Sequence, residues 1–213
     1  MQGLKLTDRD YSIFREIDRW RITLSRHIKE IAGFTTQRTC ERRLKKLVEA
    51  GYLEYHKIIY GIPRIYQNTR QAEILAQIPI SNWKRKIKIE QISHDIAVLD
   101  TAIALHQKMG ISYKDMITER QRHQNDGFGV RTHHPDFICK YKNESICVEI
   151  ELSMKAKNRF EKNIKDNFRA YDVQLWVVQS KNDKISKFLE EQILPYPNIK
   201  IIELKEVLEH GFI

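Results

Sequence analysis

The sequence has only three cysteines, Cys40, Cys139 and Cys147, and none of them stands in a CxxC pair. An odd count without that spacing excludes a disulfide framework and suits a reducing compartment, where such thiols serve as small core residues. No apolar run approaches the roughly 20 residues a membrane span needs. The opening MQGLKLTDRDY also lacks the apolar stretch and small-residue cleavage site of a signal peptide. These absences lead to the expectation of a cytoplasmic protein with no membrane contact. Internal repeats and low-complexity tracts are missing too. Gly127-Phe128-Gly129 stands alone and reads as a loop, not a phosphate cradle, and Ser153 has no histidine and carboxylate arranged to make it a nucleophile.

What the chain does have is positive charge, unevenly placed. The formal net charge over 213 residues is +9. The first 90 residues carry 19 of the 37 Lys+Arg and 10 of the 28 Asp+Glu, so the remaining 123 residues balance at zero. Phosphate neutralisation supplies most non-specific nucleic-acid affinity, so this footprint locates the expected contact with double-stranded DNA in the first part of the chain.

Periodicity in that part predicts three helices and a hairpin. Thr7 caps a helix with Asp8 and Asp10 in its first turn and Tyr11, Phe14, Ile17 and Trp20 at helical spacing. Leu24, Ile28 and Ile31 mark a second, short helix that Gly33 closes. Thr35 or Thr36 caps a third, in which Cys40, Leu44, Leu47 and Val48 face inward while Gln37, Arg38, Arg42, Arg43 and Lys46 face out. Two β-rich segments follow, around Gly61-Ile62-Pro63. This is the order of a winged helix-turn-helix over residues 1–78. Thr36, Gln37 and Arg38 are the candidate base readers at the start of the recognition helix. Arg42, Arg43 and Lys46 lie farther along, where phosphates are the expected targets, and Lys57 and Arg64 sit on the wing. The bland counterpart is a winged domain used for dimerisation.

Thr69 caps one more short helix that Pro79 ends. A basic linker is expected over 79–90, with Lys84, Arg85, Lys86 and Lys88. From Ser93 the segment HDIAVLDTAIALHQKMG opens a second domain, 91–213, with the order one helix, three strands, helix, strand. Within it, HPDFICKYKNESICVEIELSMK places Asp136 at the start of one strand. Glu149, Glu151 and Ser153 follow at period two on the next, opposite a core face of Val148, Ile150 and Leu152. Asp136, Glu149 and Glu151 are hard oxygen ligands suited to Mg²⁺ and phosphodiester chemistry, with Asp136 and Glu149 as the metal pair. His133 and His134, even with Cys139 or Cys147, match no structural zinc spacing.

LTDRDYSIFREI, RTCERRLKKLVEAGYL, the helix start HDIAV with His94, Glu119-Arg120 in ITERQ, Pro135-Asp136, VEIELS, and Lys165 and Tyr171 ahead of LWVV occur in an order that resembles the replication-relaxation family of plasmid and mobile-element proteins. That resemblance implies an α+β chain in which a winged helix-turn-helix precedes a PD-(D/E)xK nuclease-like α/β domain. It also implies a DNA-binding role in replication, relaxation or mobilisation of the element, alongside relaxase or replication proteins and with a homodimer as one assembly. The nuclease-like motif departs from its pattern at Glu151, which stands where a Lys orients the attacking water; Lys155 and Lys165 are the substitutes within reach in sequence. The expectation is therefore a binder without catalysis of its own and with no certain cofactor. A Mg²⁺-dependent nuclease or nickase using Asp136, Glu149 and Glu151 is the first alternative, a transcriptional regulator the second, and a protein-interaction scaffold the third. The carboxylates are expected to cluster, with an Arg or Lys partly neutralising them.

Overall fold

The computed structural model describes residues 4–57, 60–61, 63–79, 88–126, 132–154, 156–181 and 183–209. Lys84, Arg85 and Lys86 of the expected linker, the Gly127-Phe128-Gly129 loop and Lys155 lie outside them. The chain is a mixture of helices and two sheets, and it divides into two compact units, Met1–Leu99 and Asp100–Ile213.

The first unit begins with α1 (Asp8–Trp20), whose N-terminus is closed by Thr7: its backbone N–H and its hydroxyl both donate to Asp10 Oδ2 at 2.7 Å. Two otherwise orphaned polar groups are thereby satisfied, which is the function of a helix cap. A two-residue strand, β1 (Thr23–Leu24), leads into α2 (Ser25–Ile31). The chain leaves α2 through Gly33 at φ 63°, a left-handed conformation that glycine adopts without a Cβ penalty. Thr36 accepts from the Thr39 N–H and caps α3 (Gln37–Glu49), which buries Cys40, Leu44 and Leu47. β2 (Leu53–His56) and β3 (Ile65–Asn68) pair antiparallel, and β1 adds to β3, giving the order β1-β3-β2. Thr69 caps α4 (Arg70–Leu75).

Ile13, Phe14 and Ile17 of α1 meet Leu44 and Leu47 of α3 in one apolar cluster, each such side chain contributing about 1.5–3 kcal/mol by leaving water. Asn68 fastens β3 to α1 by donating to the Phe14 carbonyl at 2.7 Å. A second cluster gathers Ile22, Leu24, Ile65 and Ile92. Its last member lies on α5 (Ile89–Met109), which begins four residues before the expected Ser93. Ile92 is buried in the first unit, and the division between the two compact units falls within α5, after Leu99.

In the second unit, the remainder of α5 and a single 3-10 turn (Tyr113–Asp115) precede β4 (Ile117–Thr118) and α6 (Glu119–His123), which Thr118 caps. β5 (Phe137–Tyr141) and β6 (Glu144–Glu151) form a hairpin. Lys142 and Asn143 both have positive φ, 46° and 68°, as a two-residue turn matching the strand twist requires. Then come α7 (Lys157–Ala170), β7 (Val173–Val178), α8 (Lys184–Gln192), β8 (Ile199–Glu203) and α9 (Leu204–Glu209). The sheet order is β4-β5-β6-β7-β8, antiparallel as far as β6 and parallel thereafter. Phe160 and Ile164 of α7 pack with Trp176 and Val178 of β7 and Phe188 and Leu189 of α8, and the Phe160 ring stacks on Trp176 at 5.1 Å.

All three cysteines are free and buried. Burial pushes the Cys40 and Cys139 thiols up to about 12, which leaves them protonated and inert. No helix among the described residues is long and apolar enough to cross a membrane.

Candidate functional site

Two groups of candidate residues stand in separate units. The first is α3. Its Thr36 hydroxyl is committed to the cap, accepting from the Thr39 N–H at 3.2 Å. Gln37 Nε2 donates to Ser25 Oγ at 2.7 Å and to Glu41 Oε1 at 2.8 Å, so its amide bridges α2 and α3. Arg38, Arg42 and Lys46 are exposed. Arg43, expected beside them, is held elsewhere: its Nε donates to Asp10 Oδ1 at 2.8 Å, its Nη2 to Asp10 Oδ2, and Nη2 also to the Lys5 carbonyl at 3.0 Å. Burial pushes the Asp10 carboxyl up, but the hydrogen bonds from Arg43 and Thr7 outweigh it and hold the group below its ordinary value. The same pair raises the Arg43 pKa. Arg43 is therefore a fork that fastens α3 to α1, a geometry to which the guanidinium is suited.

The exposed positions 38, 42 and 45 follow the i, i+4, i+7 spacing of one helical stripe. Lys45 belongs to this stripe with Arg38 and Arg42, although it also reaches Glu49 at 3.7 Å. An open groove of about 760 Å³ runs along the neighbouring face between the start of α1 and α3, lined by Arg9, Phe34, Thr35, Arg42, Arg43 and Lys46 among others. The Arg9 guanidinium lies 4.7 Å from the Phe34 ring centroid. On the hairpin, Lys57 and Arg64 are both exposed, and Arg64 stacks over Tyr55 at 4.5 Å, which holds its guanidinium at the strand surface.

The second group is the carboxylates of the β5–β6 hairpin. The register Phe137↔Val148 continues one step outward to set Asp136 opposite Glu149, and Asp136 Oδ2 accepts from the Ile150 N–H at 2.7 Å. The hairpin thus does bring Asp136 to Glu149. Glu151 lies two residues beyond Glu149 on the same face. That face is not an open row of carboxylates, however: Glu149 and Glu151 are only 3% and 2% exposed. The cause is the parallel register Glu149↔Trp176 and Glu151↔Val178, which puts both acids on the side that α7 and α8 cover.

Glu149 Oε1 takes hydrogen bonds from His133 Nε2 at 2.7 Å and Asn167 Nδ2 at 2.9 Å. Burial raises the Glu149 pKa, the His133 contact pulls it down, and the Asp136 charge raises it again, with a net upward shift. Lys165 sits on the exposed side of α7, away from its buried Phe160, Asn163, Ile164 and Asn167, and so supplies no ammonium group to this site. Asn163, one turn before Asn167, is equally buried, and its Nδ2 meets no acceptor among the described residues. Mg²⁺ demands near-octahedral oxygen ligands, whereas here Glu149 Oε1 and Asp136 Oδ2 are already engaged by protein donors. Any ion here would have to compete with those donors.

Lys45 was detectable in the sequence by its seven-residue step from Arg38. Arg9 and Asn167 were not, because nothing local to them announces the partners they meet. No protein-family model, no curated protein and no solved structure matches the chain.

Proposed function

We propose that the chain is a double-stranded DNA-binding protein. Its first unit works as a winged helix-turn-helix with α3 as recognition helix and the β2–β3 hairpin as wing, and its second unit is a nuclease-like scaffold that does not cleave. The observation that carries this reading is the stripe Arg38, Arg42 and Lys45. Long cations stand exposed on one face of a capped helix, while Arg43, of the same type, is spent on Asp10. A helix of this length fits the major groove, where Arg38, near its N-terminus, reads base edges and Arg42, Lys45 and Lys46 contact phosphates. Lys57 and Arg64 extend the contact to the adjacent backbone.

For the second unit, the supporting observation is the engagement of Glu149 Oε1 by His133 and Asn167. A buried carboxylate with a raised pKa and two protein donors is a poor metal ligand. The setting of a plasmid or mobile element, and a role in its replication, relaxation or mobilisation, rests on the resemblance described above; a transcriptional regulator would use the same residues. The full chain, incubated with supercoiled plasmid and Mg²⁺ or Mn²⁺, is expected to retain the DNA in a gel shift without nicking it. Nicking that Asp136→Ala and Glu149→Ala both abolish would put the nuclease first. Absence of any retention at moderate salt would leave the scaffold.

A further inference from the structure

α6 and the segment ahead of β5 bring together a cluster that the reading above does not use. His123 Nδ1 lies 2.8 Å from Asp126 Oδ2, and His134 Nε2 lies 3.0 Å from both Asp126 oxygens. One ligand atom from each of the three residues falls within 4.8 Å of the others. His123 also presents its second nitrogen, Nε2, to Glu119 Oε1 at 3.4 Å, one helical turn earlier. His134 is buried, 6% exposed, while His123 is 40% exposed, so the cluster is anchored on one side and open to solvent on the other.

We propose that His123 Nδ1, the Asp126 carboxylate and His134 Nε2 bind one Zn²⁺-class transition-metal ion, with Glu119 holding the His123 ring from behind. Two imidazoles and one carboxylate suit a borderline ion and leave a fourth position for water. Tetrahedral bonds of about 2.0–2.1 Å separate ligand atoms by roughly 3.3 Å; the two contacts to Asp126, at 2.8 and 3.0 Å, need open by only a few tenths of an ångström, and the two imidazole nitrogens lie within 4.8 Å of each other. Facing a carboxylate that can only accept, His123 carries its proton on Nδ1 without the ion; metal at Nδ1 moves that proton to Nε2, where Glu119 Oε1 stands 3.4 Å away, the usual arrangement behind a metal-bound histidine.

Arg122 opposes the ion. Its Nε donates to His134 Nδ1 at 3.0 Å, which requires the His134 proton to sit on Nε2, where it points at Asp126. Metal at Nε2 moves that proton to Nδ1, setting donor against donor, so Arg122 must turn away. No net proton is released from a neutral ring in this exchange, only transferred between its nitrogens.

The test is calorimetric titration of the untagged full chain with Zn²⁺, and with Co²⁺ read by its visible absorption. The expected result is one ion per chain, with ligation of Co²⁺ by nitrogen and oxygen. His134→Gln and Asp126→Asn each weaken Zn²⁺ binding at least tenfold, and Glu119→Gln, which keeps the side-chain volume, weakens it by about tenfold. Arg122→Gln, whose carbonyl accepts from Nδ1–H, tightens it by about tenfold. Circular dichroism of each variant verifies folding. No saturable 1:1 binding by the parent, affinity equal to the parent's in folded His134→Gln or Glu119→Gln, or unchanged or weaker binding in Arg122→Gln would each overturn the assignment.

Discussion

Arg43→Ala separates the architectural arginine of α3 from the neighbours proposed to contact DNA. The substitution leaves Asp10, 1% exposed at its side chain, without its guanidinium. Removing one partner of a buried pair costs about 3–5 kcal/mol. Here the Thr7 N–H and hydroxyl still donate to Asp10 at 2.7 Å, which brings the expected cost down to about 2–3 kcal/mol. For a unit of this size the melting temperature then falls by on the order of 10 °C.

The loss depends on pH, and its sign follows from the depressed Asp10 pKa. The stabilisation from the pair is present above the ordinary value of 3.8 and disappears as pH falls through the lower folded-state value. In Arg43→Ala burial acts with less opposition, so the difference between parent and variant is expected to shrink below about pH 4. Urea titrations of both proteins at pH 7 and pH 3.5, followed by circular dichroism, measure it. A loss below 1 kcal/mol at pH 7, or a difference that grows on acidification, would refute the argument.

Three further outcomes follow. Ile92→Ala is expected to cost about 2–4 kcal/mol, because it empties a site packed by Ile22, Leu24 and Ile65; urea unfolding checks this, and a neutral substitution would detach the start of α5 from the first unit. Glu149→Gln copies the protonated acid. Since the folded-state Glu149 pKa is raised, stability from that group is present below its ordinary value of 4.5 and is lost as pH rises through the raised one. The variant is therefore expected to flatten the decline in urea midpoint as pH rises above 4.5. Arg64→Ala removes the stacked guanidinium over Tyr55 and is expected to weaken DNA binding about equally for all sequences, with little change in melting temperature.

What could be seen in the sequence was whatever is local. Thr7, Thr36 and Thr69 announced helix starts because a hydroxyl ahead of a periodic stretch is a short-range signal, and the alternation Glu149-Ile150-Glu151 placed both acids on one face of a strand. What escaped was long-range. Asp10 read as an ordinary acidic first turn because its partner Arg43 lies 33 residues away. The face bearing Glu149 and Glu151 read as polar because only the tertiary packing of α7 and β7 shows that it is covered. β1, two residues long, is too short for any periodicity, and α5 starts inside the alternating KIKIE, where strand and helix signals compete.

The central claim is that the exposed cations of α3 carry DNA affinity. Its most direct test is fluorescence anisotropy of a labelled duplex, titrated with parent, Arg42→Ala and Arg38→Ala across a salt series. Each phosphate contact contributes about 0.9 to the slope of log affinity against log salt. Arg42→Ala is expected to lower the slope by about one unit with selectivity unchanged, and Arg38→Ala to cost about 1–3 kcal/mol on preferred sequences and less on others. Affinity and slope identical to the parent in both variants would contradict the account.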